Sequence, residues 1–190
     1  MIENIIKKYK YLDLTGQDIY NVIQKYPVEY SDLKNYNSIE DLCPRDSPYQ
    51  VLLYQVSNKG SGHFVSIWID YNTDTIYFFD SYGYMPDMPL KLGLVNYDLE
   101  NYPFLLTNLL KKSNKKLYFN KIDYQSKQDV KVSTCGRWSV FAIKMRGLFP
   151  NDFNRIFSKT NKSQYLNDQD NLITLLTLTY FNDFESYFNI

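Results

Sequence analysis

The sequence predicts an α+β domain, in which helices pack beside a sheet. Three short segments in the middle of the chain, 49–56, 63–70 and 75–80, are rich in strand-forming residues. Segments with helical patterns stand before and after this run of strands. With 190 residues, of which 44% are hydrophobic and 22% charged, the chain is long enough for one domain, predicted over 1–190.

The N-terminal segment is predicted to form two helices, separated near "LTGQD". Thr15 or Gly16 is expected to cap the second helix, which runs through Tyr26 until Pro27 ends it. Residues 28–47 are predicted to be irregular, because prolines within and just after this segment disfavour regular structure.

The central strands are predicted to form an antiparallel sheet. "YQVLLYQV" is a short apolar run, "HFVSIWID" alternates apolar and polar residues, and "TIYFFD" is aromatic and apolar. "DYNTD" lies between the last two segments and is typical of a hairpin turn.

The second half of the chain is predicted to add three helices and a fourth strand. A helix is predicted over 97–112, where Pro103 fits only if the helix starts there, and a strand over 116–123. A further helix is predicted from about Asp168 to Phe188, with acidic residues at its start. The helical stripe that predicts the remaining helix comprises Trp138, Phe141, Ala142 and Met145.

Charge and composition argue against several functional classes. Although 17% of the residues are aromatic, the formal net charge is 0, and nucleic-acid binders usually carry a basic excess. "KKSNKK" at 111–116 is interpreted as a solvated loop. The most apolar late segment, "LITLLTLTYF", is about half as long as a membrane span.

Cysteine usage predicts an intracellular, reducing environment. Cys43 and Cys135 do not make a disulfide framework, and the N-terminus lacks the apolar region of a signal peptide. No metal or cofactor is predicted, because two distant cysteines and a single histidine lack the spacing of metal ligands.

The segment "STCGRWSVFAIKMRG" places Cys135 at the start of a predicted helix. Ser133 and Thr134 are residue types that cap helices, and a cysteine in the first turn is favoured as a thiolate by the helix dipole. Gly136 gives the backbone room for a substrate carbonyl to approach. A buried structural cysteine at a helix start is common, so this segment alone does not decide the function.

His63 and Asp80 are candidates for the base and the orienting acid. His63 is the only histidine and begins a strand after "NKGSG"; histidine is the usual base for a cysteine nucleophile. If the second and third strands form a hairpin, the start of one lies beside the end of the other, which places His63 near Asp80. The alternatives are a strand-start histidine with ordinary surface contacts and an aspartate that opens a turn.

The order His63, Asp80, Gln128, Cys135 resembles that of the adenovirus maturation protease, adenain, and of the related ubiquitin-like protein proteases. His63 and Asp80 are 80 − 63 = 17 residues apart, and Gln128 precedes Cys135 by 135 − 128 = 7 residues, as in the adenovirus type. The motifs "GHFVSIWID…YFFDSYG" and "QDVKVSTCG" lie within 62–147, a little under half of the chain.

The resemblance implies a papain-like α+β fold with a central mixed sheet flanked by helices. It implies that Cys135 attacks the scissile carbonyl, that His63 pairs with it and protonates the leaving amine, and that Asp80 orients His63. Gln128 would donate to the oxyanion together with the backbone N–H of Cys135. Gln125 competes for this role at a poorer spacing of 135 − 125 = 10 residues.

The sequence departs from the family at two positions. The family usually has tryptophan after the histidine, where the ring narrows the substrate cleft, and this chain has Phe64. Phe64 and Gly136 are therefore predicted to contact substrate. Cys43 precedes the histidine and matches no activator-binding cysteine, so an activator peptide is not supported, and the net charge of 0 argues against DNA as an activator.

We therefore expect a monomeric cysteine endopeptidase without a membrane partner, acting on a polypeptide. The favoured substrate is a viral capsid or scaffold protein, cut in the host cytoplasm, a viral factory or the virion. The alternatives are a ubiquitin-like protein protease, an acyltransferase of the same clan and a non-catalytic binding domain. Activity with an acetyl donor but none on peptides would identify the acyltransferase, and an unreactive thiol would identify the binding domain.

Overall fold

A five-stranded mixed sheet forms the centre of the computed structural model, which describes residues 2–55, 62–91, 104–129, 131–158 and 165–181. The predicted α+β class, with a mixed sheet flanked by helices, is confirmed. The strands follow one another across the sheet in chain order: β1 (Val28–Glu29), β2 (Tyr49–Gln55), β3 (Gly62–Asp70), β4 (Thr75–Phe79) and β5 (Lys116–Phe119). The three central strands are antiparallel, as predicted, whereas β1 and β5 run parallel to their neighbours.

Helices lie on both faces of this sheet. The α-helices in the described part of the chain are α1 (Ile2–Lys10), α2 (Gly16–Ile23), α3 (Ile39–Leu42), α4 (Met88–Lys91), α5 (Leu105–Lys112), α6 (Cys135–Lys144), α7 (Asn151–Ile156) and α8 (Gln169–Tyr180). Short 3-10 helices span Tyr30–Asn35, Arg146–Leu148 and Tyr165–Asn167. None of the described helices is long and apolar enough to cross a bilayer.

The N-terminal helices match the prediction with one change at the end of α2. Thr15 caps α2 through a capping box, in which its hydroxyl accepts from the Asp18 N–H and the Asp18 carboxylate accepts from the Thr15 N–H. The helix ends earlier than predicted, because Gln24 adopts the left-handed conformation and stops it before Pro27.

The segment 28–47, predicted to be irregular, contains regular structure. It holds β1, a 3-10 helix and α3, whose N-terminus is capped by the Ser38 hydroxyl accepting from the Asp41 N–H. β1 has only two residues, too few to show the alternation by which a strand is recognised in a sequence. The prediction was wrong here because these elements are held by contacts with the sheet.

Two predicted helices are described only in part. α5 begins at Leu105, and residues 97–103 of the helix predicted over 97–112 lie outside the described residues. α8 begins after its N-cap Asp168, as predicted, whereas residues 182–190 lie outside the described residues. β5 ends at Phe119, earlier than predicted, because the side chain of Asn120 bonds to the backbone at the end of β4.

Alternate residues of the strands enter two separate hydrophobic cores. One core lies between the sheet and α2, α6, α7 and α8, and includes Val51, Leu53, Phe64, Trp138 and Phe141. The other core lies on the opposite face, against α3 and α5, and includes Leu52, Tyr54, Val65, Ile67 and Leu106. The first core fixes α6, and with it Cys135, against β3.

Candidate active site

The hairpin of β3 and β4 brings His63 and Asp80 together. Ser66 lies opposite Phe79, and the same register continued beyond the strands places Tyr82 opposite His63. The Nε2 of His63 lies 3.0 Å from Oδ1 of Asp80. The His63 side chain is 11% exposed and that of Asp80 is 0% exposed, so the pair reaches solvent only through the imidazole.

Three hydrogen bonds hold Asp80 behind the imidazole, one to its carboxylate and two to its backbone. The backbone N–H of Tyr82 donates to Asp80 Oδ1 over 2.7 Å. The backbone N–H of Asp80 donates to Oδ1 of Asn120 over 2.8 Å, and the Asn120 amide donates back to the Asp80 carbonyl over 2.7 Å. Asp80 Oδ2 is buried and has no hydrogen-bond partner among the described residues. The acid is thus held by the loop that follows it and by the residue that follows β5.

Cys135 is the first residue of α6 and is 8% exposed. Thr134 is the N-cap residue, one of the two predicted, but its hydroxyl caps no amide and donates instead to Asp170. The first-turn amides of α6 therefore have no capping side chain. Amides at a helix N-terminus stabilise a negative charge that develops beside them.

The His63 imidazole interacts with the Cys135 thiol as well as with Asp80. Burial lowers the pKa of His63, but the charge and hydrogen bond of Asp80, together with the interaction with Cys135, outweigh burial and raise this pKa to about 10. His63 is therefore protonated at neutral pH. Since Asp80 occupies Nε2, Nδ1 is the nitrogen left to face the sulfur. The imidazole thus lies between the thiol of Cys135 and the buried carboxylate of Asp80.

Gln125, rather than Gln128, contacts the residues around the imidazole. Gln125 is buried, and its Oε1 accepts from the Ser81 hydroxyl over 2.8 Å. Its Nε2 donates to the Tyr82 hydroxyl over 3.0 Å and to the Val132 carbonyl over 3.2 Å. The Tyr82 ring in turn stacks on His63, with 4.9 Å between the ring centroids.

Gln128 lies on the surface. Its side chain is exposed, and its backbone N–H donates to the Ser126 hydroxyl over 3.3 Å. The oxyanion role that the resemblance assigns to Gln128 stays a prediction, and the structure does not bring its side chain into contact with His63 or Tyr82.

The predicted substrate-contacting residues lie in the protein interior. Phe64 is 4% exposed, and its side chain packs in the core between the sheet and α6. A Cβ added to Gly136 would lie 3.1 Å from Cβ of Leu14, closer than ordinary van der Waals contact. The missing side chain of Gly136 thus allows the N-terminal segment to pack against α6, a role that the sequence did not indicate.

The end of α1 and the segment that follows it lie across the loop that precedes Cys135. The Ser133 N–H donates to the Lys10 carbonyl over 3.0 Å, and the Arg137 guanidinium donates to the Tyr9 carbonyl over 3.2 Å. Together with the contact between Leu14 and Gly136, these bonds join the N-terminal segment to both sides of Cys135.

Asp170 joins the loop that precedes Cys135 to the segment that carries Gln125. Asp170 is buried in the first turn of α8, and its Oδ1 accepts from the Thr134 hydroxyl and from the Trp138 indole N–H. Its Oδ2 accepts from the Ser126 N–H over 2.8 Å. Burial raises the pKa of Asp170, although these hydrogen bonds oppose it. In the sequence, the acidic start of α8 indicated only a favourable interaction with the helix dipole.

The second cysteine lies elsewhere. Cys43 is fully buried in the core on the sheet face opposite α6, and burial raises the pKa of its thiol to about 12. In the described ranges, no three His, Cys, Asp or Glu side chains are grouped so as to hold a metal ion.

No protein-family model matches the chain, and no curated protein matches it. Among solved structures, the crystal structure of the selenomethionine ASFV pS273R protease is similar to it, with 22% sequence identity and a TM-score of 0.35. The likeness covers 66% of this chain and 42% of that chain, so this chain spans less than half of that protease's length. At this TM-score the likeness carries no argument about function.

The contact between Gly136 and Leu14 predicts the effect of adding one methyl group. Gly136→Ala is expected to destabilise the protein by about 1–3 kcal/mol, because the new Cβ meets Leu14 in a packed site. The measurement is the free energy of unfolding in urea. Leu14→Gly in the same chain is the matched control, since it removes the Cβ that the added methyl group would meet. The two changes together should cost less than the sum of the single changes. Strictly additive losses of unfolding free energy would show that contact with residue 14 does not set the cost of the added methyl group.

Proposed function

We propose that the chain is a cysteine endopeptidase whose nucleophile is Cys135. One observation carries the proposal: a hairpin end and a helix N-terminus bring Cys135, His63 and Asp80 together, with a 3.0 Å contact between His63 and Asp80. A core cysteine has no need of an imidazolium partner or of a buried carboxylate behind that partner.

The chemistry follows from this geometry. The Cys135 sulfur attacks the peptide carbonyl carbon, a C–S bond forms, and the carbonyl π electrons move to the oxygen. The first-turn amides of α6 stabilise this oxyanion. When the intermediate collapses, the C–N bond breaks, and His63 gives its proton to the leaving amine. Water, deprotonated by His63, then hydrolyses the thioester and releases the acid. Asp80 keeps the imidazole oriented through both steps.

We further propose a viral capsid or scaffold protein as the substrate. The support is the order His63, Asp80, Cys135 and its resemblance to the adenovirus-type maturation proteases. A ubiquitin-like protein tail is the competing substrate. The two substrate classes are distinguished by incubating the protein with fluorescein-labelled casein and with the aminocoumarin conjugates of ubiquitin and SUMO. Cleavage of casein alone supports an endopeptidase for extended segments, whereas cleavage of a conjugate alone favours the ubiquitin-like substrate.

The nucleophile is tested by iodoacetamide alkylation, followed at Cys135 by peptide mass spectrometry. Because the pKa of His63 is raised to about 10, the imidazolium persists as pH rises, so Cys135 should react at neutral pH and its rate should not fall between about pH 6.5 and 9. His63→Ala is expected to slow the reaction about thirtyfold at pH 7, since an unpaired thiol is only a few per cent thiolate there. In this variant the rate should rise with pH.

Cys43 is the internal control of the same experiment. Its thiol is fully buried, and it should react only after the protein is denatured. If native Cys135 is as inert as Cys43, or if His63→Ala reacts at the wild-type rate, the nucleophile assignment is wrong. Cys135→Ala should abolish casein cleavage, and persistence of cleavage would also contradict the proposal.

A further inference from the structure

Neither glutamine offers a free side-chain donor to an oxyanion beside Cys135 in this structure. Gln125 has two amide hydrogens, and Nε2 directs them to the Tyr82 hydroxyl and to the Val132 carbonyl. Its Oε1 accepts from the Ser81 hydroxyl. The Gln125 amide is therefore fully used, and the Gln128 side chain is exposed on the surface.

The Tyr82 hydroxyl is the next group in this chain of hydrogen bonds. Its oxygen accepts from Gln125 Nε2 over 3.0 Å, which leaves its own O–H able to donate. No acceptor for that O–H is found among the described residues. The position of the ring is set by two contacts, since it stacks on His63 with an interplanar angle of 26° and its backbone N–H donates to Asp80.

We infer that the Tyr82 hydroxyl, positioned by Gln125, is the side-chain donor of the oxyanion hole. The inference rests on the proposed function and adds a catalytic residue to it. Tyr82 contacts His63, Asp80 and Gln125 at once, through its ring, its backbone and its hydroxyl. A hydroxyl that accepts one hydrogen bond donates more strongly to a second partner, because the bonds polarise one another.

The electrostatic environment keeps this phenol protonated. Burial raises the pKa of Tyr82, and the negative charges of Cys135, Asp170 and Asp80 raise it further. The hydroxyl is thus a donor across the working range of a cysteine enzyme. In the reaction, the sulfur–carbon bond forms, the π electrons of the carbonyl move to oxygen, and Tyr82 donates a hydrogen bond without giving up its proton.

The test compares two reactions of Cys135 that differ in one respect. Acylation by p-nitrophenyl acetate passes through a tetrahedral oxyanion, whereas alkylation by iodoacetamide is a direct displacement without one. Tyr82→Phe keeps the ring that stacks on His63 and removes only the hydroxyl. We expect it to slow acylation by about 10²-fold, the effect of losing one oxyanion donor, and to leave alkylation within about twofold of wild type.

Tyr84→Phe is the matched control. Its ring lies 5.8 Å from that of Tyr82 in the same loop, and the change removes a hydroxyl that the inference does not use. It should leave both rates within about twofold. Equal losses of both rates in Tyr82→Phe would indicate a structural role, and an acylation loss of less than about fivefold would likewise overturn the inference.

Failure of the proposed function gives a different result from failure of the inference. If wild-type Cys135 is neither acylated nor alkylated at neutral pH, the assignment of Cys135 as the nucleophile is wrong, and so is the role of Tyr82 that depends on it. If the wild type is acylated, Tyr82→Phe keeps its acylation rate and Gln125→Ala loses it, the glutamine itself is the donor, and only the tyrosine role is overturned.

Discussion

Asp80→Asn is expected to lower peptide hydrolysis by about 10³-fold or more, through the loss of the charge that orients His63. The Asp80 side chain is fully buried, and its Oδ1 accepts from both the His63 imidazole and the Tyr82 N–H. An amide retains one acceptor oxygen but carries no charge, so the pKa of His63 falls towards its ordinary range. The imidazolium that pairs with Cys135 is then lost at neutral pH, and alkylation at pH 7 slows with hydrolysis.

Asp70→Asn is the matched control at the other end of the same hairpin. The Asp70 carboxylate accepts from the Asn72 N–H over 2.9 Å and from the Thr73 hydroxyl over 2.8 Å, as an aspartate in a turn commonly does. Its replacement should leave both rates within about twofold. If Asp80→Asn also retains wild-type hydrolysis and alkylation, Asp80 is a structural turn residue, and His63 is oriented by Tyr82 alone.

The hairpin was predictable because its signals are local. "HFVSIWID" and "TIYFFD" alternate over short runs, and "DYNTD" supplies the turn, so the register follows from neighbouring residues. The juxtaposition of His63 and Asp80 depends only on that register. The helix that begins at Cys135 was also predictable from local signals, because its apolar stripe lies within 11 residues, Cys135 to Met145.

The choice between the glutamines was not predictable from spacing. Gln128 precedes Cys135 by seven residues, but this spacing does not fix where the Gln128 side chain lies, because the backbone turns at Gln128. The Ser126 hydroxyl accepts from the backbone N–H groups of Gln128 and Asp129, which forms a turn and leaves Gln128 outside. Gln125, before the turn, enters the interior. A count of residues gives the length of a loop and not the direction in which its side chains point.

Contacts between distant parts of the chain were also beyond sequence reasoning. The pairing of β5 with β4, the contact of Leu14 with Gly136 and the bonds of Asp170 all join segments that lie far apart along the chain. Such contacts leave no periodic pattern in a single sequence, because each partner is one residue in a separate element. Asn120, which supports Asp80 from 40 residues further along the chain, was missed for the same reason.

Asp170→Asn is expected to lower the free energy of unfolding by about 1–3 kcal/mol and to slow acylation of Cys135 by about tenfold or more. Asp170 accepts from the Thr134 hydroxyl and the Trp138 indole on one oxygen, and from the Ser126 N–H on the other. If the amide oxygen of asparagine keeps the first two bonds, its NH₂ faces the Ser126 N–H and leaves two buried donors in contact. The loops that carry Cys135 and Gln125 then separate.

Asp168→Asn controls for the change in charge at the start of α8. Asp168 caps the helix by accepting from the Asp170 and Asn171 N–H groups, and asparagine caps equally well. The variant loses only the partly exposed ion pair with Lys10, so it should lose less than about 1 kcal/mol. Unfolding in urea and p-nitrophenyl acetate acylation are measured for both variants. Thr134→Val should cost less in the Asp170→Asn background than in the wild type, since the two residues share one hydrogen bond. If Asp170→Asn is as stable and as reactive as Asp168→Asn, the carboxylate does not hold the two loops, and the nucleophile is positioned by α6 and the N-terminal segment alone.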